Sequence, residues 1–220
     1  MSNTFNRRSF YKTASAGIAA CLAVSAVSAR GIPLEEDIDL GSGDMGVLSY
    51  AYALEQLESA FYTEVIMKPF KGMTSMERSF LTDIRNDEIG HREWFRKVLT
   101  SSKVKDFTVE FDFSSVNFGD RDSVLHTARL LEDTGVSAFN GAGPLLTSAT
   151  FLGFAGKIVS VEARHAAYIR DLIHYGDYAG SDVIDANGMD AATPPTVILQ
   201  HAGPFFKSKV NGSNLPTRQY

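Results

Sequence analysis

The sequence predicts an all-α protein built around a four-helix bundle. Four segments of the 220-residue chain place apolar side chains at helical spacing, and they are expected at about residues 44–67, 74–100, 120–140 and 147–174. Short loops join the first two segments and the last two, so each pair is predicted to form an antiparallel hairpin. The ~20 residues between the pairs show no helical pattern, which is typical of a bundle with one long crossover connection.

Capping residues indicate where three of these helices begin. Asp44 is the expected N-cap of the first helix. The sequence "TSME" fits a capping box at the start of the second, in which Thr74 and Glu77 satisfy each other's backbone amides. Asp120 or Asp122 is expected to begin the third helix.

The remainder of the chain is expected to flank this bundle. Residues 30–43 form an acidic sequence punctuated by Gly and Pro, which indicates a linker, and the last ten residues indicate a frayed tail. The predicted parts are therefore a targeting segment at 1–29, the linker at 30–43, the bundle at 44–175, and a loop-rich extension with a short helix at 176–220.

The N-terminus has the features of an export signal. "RRSFYK" contains Arg7 and Arg8, and an apolar run ending in small residues follows, which resembles a twin-arginine signal. The run of ~16 residues is shorter than the ~20 that a membrane span needs. We expect the twin-arginine machinery to export the chain, to the periplasm for example, with cleavage after Ala29. An alternative is a lipoprotein box, "IAAC", with Cys21 as the lipidated residue.

Charge and cysteine content narrow the classes of function. The net charge is -5, and no cluster of Lys and Arg with interleaved aromatics is present, so a nucleic-acid partner is not expected. Cys21 is the single cysteine, so the chain has no internal disulfide, and a chain cleaved after Ala29 has no thiol nucleophile. The sequence is compatible with a homo-oligomer and does not specify one.

Two Glu-x-x-His pairs lie on separate predicted helices. Glu88 and His91 are in "NDEIGHREWF", and Glu162 and His165 are in "VEARHAAYI". In each pair the carboxylate and the imidazole lie about one turn apart on one helical face. Both pairs also fall on the apolar stripe that is predicted to face the bundle interior.

The other two helices carry carboxylates on their interior stripes. Glu132 lies on the third helix, and Glu55 and Glu58 lie on the first, with Glu55 preferred as the ligand and Glu58 as an additional or alternative one. Buried, unpaired carboxylates are costly and repel one another, so a positive partner is expected among them. One Glu from each of two helices and a Glu-x-x-His from each of the other two is the recurring di-iron or di-manganese layout. Two iron or manganese ions are therefore the expected cofactors, and the ligand types suit both metals.

Four motifs in order carry a resemblance to a known family. "LSYAYALEQLESAFY", "DEIGHREWF", "LLEDTGVSAFNGA" and "VEARHAAYIRDL" resemble the ferritin-like domain of exported bacterial proteins, a family that also includes desiccation-related plant proteins. The resemblance covers about residues 44–175 and implies a ferritin-like bundle. It is less specific for activity, because such proteins include ferroxidases, oxidases, peroxide scavengers and members without a known reaction.

The expected chemistry is redox reaction of the metal pair with O2 or peroxide in stress protection. The alternative is a non-enzymatic envelope or stress protein in which the metal is structural or has been lost, and a storage cage is disfavoured. Tyr52, Tyr62 and Trp94 are expected to be core or wall residues rather than redox relays. Gly135, one turn from Glu132, indicates either room for a small molecule or close helix packing.

Overall fold

The computed structural model describes residues 37–217 and contains five α-helices within that range. The helices are α1 (Gly43–Met67), α2 (Ser75–Ser101), α3 (Arg121–Ala142), α4 (Ala149–Ile173) and α5 (Pro195–Ala202). Two short strands, β1 (Ile38–Asp39) and β2 (Val210–Asn211), pair in parallel, and single 3-10 turns follow α3 and α5. Within residues 37–217, no helix is both long and apolar enough to cross a membrane. The predicted export signal and Cys21 lie outside the described residues.

The predicted all-α bundle is confirmed. Helix α1 packs along α2, α3 packs along α4, and α1 also contacts α3. Each closely packed pair is joined by a short connection, whereas the long crossover between α2 and α3 contains no helix, as expected. The buried apolar core runs through the bundle and continues into the crossover and the C-terminal extension.

The capping predictions have mixed outcomes. The capping box is confirmed, because Thr74 Oγ1 accepts a bond from the Glu77 amide at 3.1 Å and Glu77 Oε2 accepts one from the Thr74 amide at 2.8 Å. Asp120 caps α3. The prediction that Asp44 caps α1 was wrong, since Ser42 occupies that position.

Asp44 instead forms hydrogen bonds with the backbone just before α4. Its carboxylate accepts hydrogen bonds from the backbone amides of Thr147 at 2.8 Å and Ser148 at 2.9 Å. These bonds lower the pKa of Asp44, the bond from Thr147 contributing most and outweighing the opposing effect of burial. The carboxylate therefore connects the first turn of one hairpin to the loop of the other.

The crossover is fixed to α1 by one amide side chain. Gln56 Oε1 accepts a hydrogen bond from the buried Val109 amide at 3.0 Å, and its Nε2 donates to the Phe107 carbonyl at 3.4 Å. The crossover also meets the extension, because the Asp112 amide donates to the Phe205 carbonyl at 2.8 Å. These contacts place the crossover between the bundle and the C-terminal segment.

The two ends of the described chain are more ordered than the sequence indicates. Residues of the predicted linker form β1, and Leu40, just after it, is buried. Residues of the predicted tail form part of β2, and Leu215 is buried against Gly46 of α1. In each segment one leucine stands within polar, Gly-containing sequence and is covered on packing, which explains both differences.

A buried arginine connects the extension to the bundle. Arg170 of α4 is 1% exposed and donates to both carboxylate oxygens of Asp133 at 2.9 Å. It also donates to Asp182 Oδ2 at 2.7 Å and to Asp177 Oδ2 at 3.4 Å, both in the loop after α4. The hydrogen bond from Arg170 lowers the pKa of Asp182 to about 2.

Candidate metal centre

The acidic and imidazole side chains predicted from the sequence meet in the middle of the bundle. Each of the four long helices contributes at least one of them, because the apolar stripes that pack together are interrupted at the same level. The carboxylates at 0% exposure are Glu55, Glu88, Glu132 and Glu162. Both histidines of the Glu-x-x-His pairs are largely buried beside them.

One group of ligand atoms surrounds His91. His91 Nδ1 lies 2.8 Å from Glu162 Oε1, 3.4 Å from Glu55 Oε2 and 3.5 Å from Glu88 Oε2. One ligand atom from each of these four residues lies within 4.8 Å of all the others. The group could therefore hold a metal ion.

A second group surrounds His165. His165 Nδ1 lies 2.7 Å from Glu88 Oε1, 3.7 Å from Glu132 Oε2 and 3.9 Å from Glu162 Oε2. These four residues also offer ligand atoms that lie within 4.8 Å of one another. This group, too, could hold a metal ion.

The two groups share Glu88 and Glu162. Each shared carboxylate directs one oxygen toward His91 and the other toward His165. Glu55 belongs only to the first group and Glu132 only to the second. The arrangement is that of two adjacent cation positions with two carboxylates able to bridge them.

Four buried carboxylates share only two imidazoles, so the cluster has less positive than negative charge of its own. Apart from their close contacts with one another, the oxygens of Glu55, Glu88 and Glu162 and the Nδ1 atoms of His91 and His165 have no hydrogen-bond partner. Buried polar groups are normally paired, and an isolated buried charge costs several kcal/mol or more. The donor set of carboxylate oxygens and imidazole nitrogens suits divalent iron or manganese, so these residues fit metal ions.

Burial and the charges of neighbouring groups shift the pKa values of the cluster residues. Burial raises the pKa of Glu55 and Glu132 well above the usual range for a carboxyl. Burial also opposes ionisation of Glu88, but the adjacent His165 and His91 imidazoles lower its pKa to about 2. Burial would lower the pKa of His165, but the carboxylates of Asp87 and Glu88 raise it to about 11. In the metal-free protein these shifts favour protons on Glu55, Glu132 and His165 and an ionised Glu88.

Glu58 lies beside the cluster and outside both ligand groups. It is buried, and burial followed by the charge of Glu162 raises the pKa of its carboxyl well above the usual range. Its Oε1 lies where a side chain at Gly135 would extend, 2.8 Å from an ideal Cβ there. Gly135 therefore provides the space that this carboxyl group occupies.

Two residues contact the outer side of the ligands. Tyr62 donates a hydrogen bond of 2.5 Å to Glu132 Oε1, and Asp87 Oδ2 lies 3.4 Å from His165 Nε2. A group that holds the far nitrogen of a metal-binding histidine fixes the ring's orientation and tautomer. Tyr62 was identified in the sequence, whereas Asp87 was not, although the position of Asp87 directly before Glu88 is a usable signal.

The remaining histidines and aromatics lie away from the ligand groups. His126, His174 and His201 are exposed and belong to neither group. Tyr52 donates to Asp106 at 3.2 Å, and Trp94 packs between Phe95 and Phe154. These contacts agree with the interpretation of Tyr52 and Trp94 as core or wall residues.

Access to the cluster is narrow. The His91 side chain is 14% exposed and the His165 side chain 8% exposed, so a small part of each imidazole reaches solvent. A cavity of about 10 Å³ lies between Glu58, Gly135 and the extension residues Ala202 and Phe205. That volume corresponds to about one water molecule.

The fold and the cluster define a class of helical-bundle protein with a buried carboxylate–histidine site that could bind metal. The family model described as the ferritin-like domain matches residues 43–175, which is more than half of the chain. The chain therefore belongs to the ferritin-like domain family. Among curated proteins, no match was found.

Proposed function

We propose that this protein binds a carboxylate-bridged pair of iron or manganese ions and carries out redox chemistry with O2 or peroxide in stress protection. The observation that supports the proposal is the sharing of Glu88 and Glu162 between two ligand groups. A bridged pair of ions matches the reduction of peroxide to two waters, which needs two electrons and two protons.

The side chains have distinct roles in this proposal. Glu88 and Glu162 could serve both ions, while His91 and Glu55 would complete one position and His165 and Glu132 would complete the other. Glu58 lies beside both positions, and in the metal-free protein burial raises the pKa of its carboxyl well above the usual range. The narrow openings restrict access to small molecules such as O2 and peroxide.

The first test is elemental analysis of protein purified without added metal or chelator. We expect about two iron or manganese ions per chain, the stoichiometry of this ligand layout. His91→Ala and His165→Ala should each lower the content to about one, and His126→Ala, an exposed histidine on α3, is the matched control. Unchanged metal content in both ligand variants would refute the assignment.

A structural metal is the second candidate function. The narrow openings around the cluster favour it, because a closed metal site is typical of a structural role. Metal-loaded protein should be assayed for peroxide consumption and Fe(II) oxidation, with thermal unfolding measured in parallel. Turnover supports the redox function, whereas a large metal-dependent rise in melting temperature without turnover supports the structural one.

We also propose that the chain is exported through the twin-arginine pathway, as in the exported subgroup that the motifs resemble. The support is the pair Arg7 and Arg8 before a short apolar run. Replacing both by Lys should retain the precursor inside the cell, and the exported chain should begin at Arg30. Membrane-associated protein carrying lipid on Cys21 would instead support the lipoprotein alternative.

A further inference from the structure

The two halves of the bundle are related by an approximate repeat. Helices α1 and α2 form one hairpin and α3 and α4 the other, and each hairpin supplies a Glu followed by a Glu-x-x-His. Glu55 therefore corresponds to Glu132, and the pair Glu88 and His91 to the pair Glu162 and His165. The side chains that would bind the ions directly are of the same types in both halves. Any difference in affinity between the two cation positions must therefore come from the residues around them.

Hydrogen bonding to the terminal carboxylates is unequal. Tyr62, seven residues after Glu55, crosses the bundle and donates to Glu132 at 2.5 Å. The corresponding residue in the second half is Phe139, seven residues after Glu132, which has no hydroxyl and is buried among apolar side chains. Apart from the His91 imidazole at 3.4 Å, the oxygens of Glu55 accordingly lack a hydrogen-bond partner.

The two imidazoles also differ in their outer contacts, and His165 is the one with the additional contact. Asp87, directly before Glu88, reaches His165 Nε2 at 3.4 Å while Nδ1 of that ring faces the cluster. Val161 occupies the equivalent position before Glu162 and cannot accept a hydrogen bond. Within residues 37–217, the carboxylate contacts of His91 all involve Nδ1, which leaves its outer nitrogen without such an anchor.

We propose that the two cation positions have unequal affinities: the Glu132–His165 position fills first and tightly, and the Glu55–His91 position fills second and exchanges readily. This inference depends on the proposed two-ion site. Asp87 and Tyr62 are positioning residues, because they act on the ion through His165 and Glu132. His91 is slightly more exposed than His165, which agrees with a readily exchanged ion at the Glu55–His91 position.

The size of the difference follows from the known effect of such outer contacts. Removing one partner that orients a ligand typically costs 10–100-fold in metal affinity. The Glu132–His165 position has two such contacts, and the Glu55–His91 position has neither of the equivalent contacts. We therefore expect the first ion to bind at least ~10-fold more tightly than the second. Repulsion between neighbouring ions also separates two binding steps, so the test must identify which position fills first.

The decisive measurement is a crystal structure of the full exported chain prepared with one equivalent of Mn²⁺, in which anomalous scattering locates the ion. We expect the principal peak between Glu132 and His165. A principal peak between Glu55 and His91, or equal peaks, would overturn the inference while leaving the two-ion function intact. Failure of both Mn²⁺ and Fe²⁺ to bind at any concentration would overturn both, so the two failures are distinguishable.

Variants test the cause of the difference by Mn²⁺ titration calorimetry. Asp87→Ala should weaken the tighter step ~10–100-fold and leave the weaker step unchanged. The matched control is Asp83→Ala, which removes the same charge from an exposed position one turn earlier on α2. Tyr62→Phe should act like Asp87→Ala, with Tyr50→Phe as control, because the buried Tyr50 hydroxyl has no hydrogen-bond partner. Equal weakening of both steps by the test variants would refute the assignment.

Discussion

Gly135 and Glu58 fit together because position 135 has no side chain. An ideal Cβ on this residue of α3 would lie 2.8 Å from Oε1 of Glu58 on α1, closer than carbon and oxygen can approach without displacement. The carboxyl is the flexible end of its side chain, but it is buried. The sequence indicated either room for a small molecule at Gly135 or close helix packing, and the contact shows that a neighbouring carboxyl group takes the space.

Gly135→Ala is therefore expected to destabilise the protein although alanine is the better helix former. Replacing a helical glycine normally contributes up to about 1 kcal/mol of stability. Here the added methyl group displaces Glu58, and overpacking of this kind typically costs about 1–3 kcal/mol. The free energy of unfolding in urea, measured on metal-free protein, checks the prediction.

Gly153→Ala is the matched control for this substitution. Gly153 lies inside α4 with no atom within 4 Å of an ideal Cβ, so alanine there should stabilise the protein. A gain in Gly135→Ala equal to that in Gly153→Ala would show that Glu58 moves without cost.

Arg170→Met is expected to release the loop after α4. The substitution preserves much of the side-chain volume but removes the donor shared by Asp133, Asp177 and Asp182. Loss of one partner from a buried ionic group costs about 3–5 kcal/mol, and the partial exposure of the aspartates favours the lower end. Faster amide exchange in residues 176–192 and a lower free energy of unfolding should be observed together.

Arg164→Met controls for the loss of a charge from α4. Arg164 is exposed and donates a hydrogen bond to the Ser160 carbonyl of its own helix. We expect this variant to keep the exchange protection of the loop. Equal protection in Arg170→Met would mean that apolar packing, rather than the arginine, holds the extension.

Gln56→Met is expected to loosen the crossover. It removes both amide contacts of Gln56 and leaves the buried Val109 amide without its acceptor, at a cost of about 1–3 kcal/mol. Urea unfolding and exchange of the Val109 amide measure the effect. Gln200→Met, at an exposed position of α5, is the control, and unchanged exchange at Val109 would contradict the proposed anchor.

The helices and the ligand cluster were predictable because both follow from local spacing. Apolar periodicity identified the four long helices, and carboxylate and imidazole side chains at i and i+3 identified one face on two of them. The apolar stripes of the other two helices then predicted that Glu55 and Glu132 face the same bundle interior. The structure brings these residues together, and it leaves Glu58 beside the two groups rather than within them.

The remaining features depend on how separate segments approach one another, which local spacing does not reveal. Asp44 has the residue type and position of an N-cap, yet its hydrogen bonds go to the distant Thr147 and Ser148. Asp87 lies beside the ligand stripe, and only the closeness of α4 brings it to His165. Likewise, the three aspartates around Arg170 come from α3 and from a loop that the sequence marked only as irregular.

The metal-free protein is expected to lose stability as pH rises from about 5 to about 9. Burial raises the pKa of Glu55, Glu58 and Glu132, so the folded chain retains protons that the unfolded chain releases above 4.5. His165 acts in the same direction: with its pKa raised from 6.5 to about 11, its stabilising contribution is complete below 6.5 and is lost as pH approaches 11. Glu88 acts oppositely, but its pKa of about 2 confines that effect to acid below 4.5.

Metal should reverse this dependence, because ions compete with protons for the same oxygen and nitrogen atoms. Ligation requires ionised carboxylates and neutral imidazoles, so affinity rises with pH. Each proton that the folded metal-free chain holds in excess lowers stability by about 1.4 kcal/mol per pH unit as pH rises. Thermal unfolding at constant ionic strength, with chelator or with Mn²⁺, should show a difference in melting temperature that widens with pH. A metal-free protein that instead gains stability between about pH 5 and pH 9 would mean that the cluster is ionised without metal.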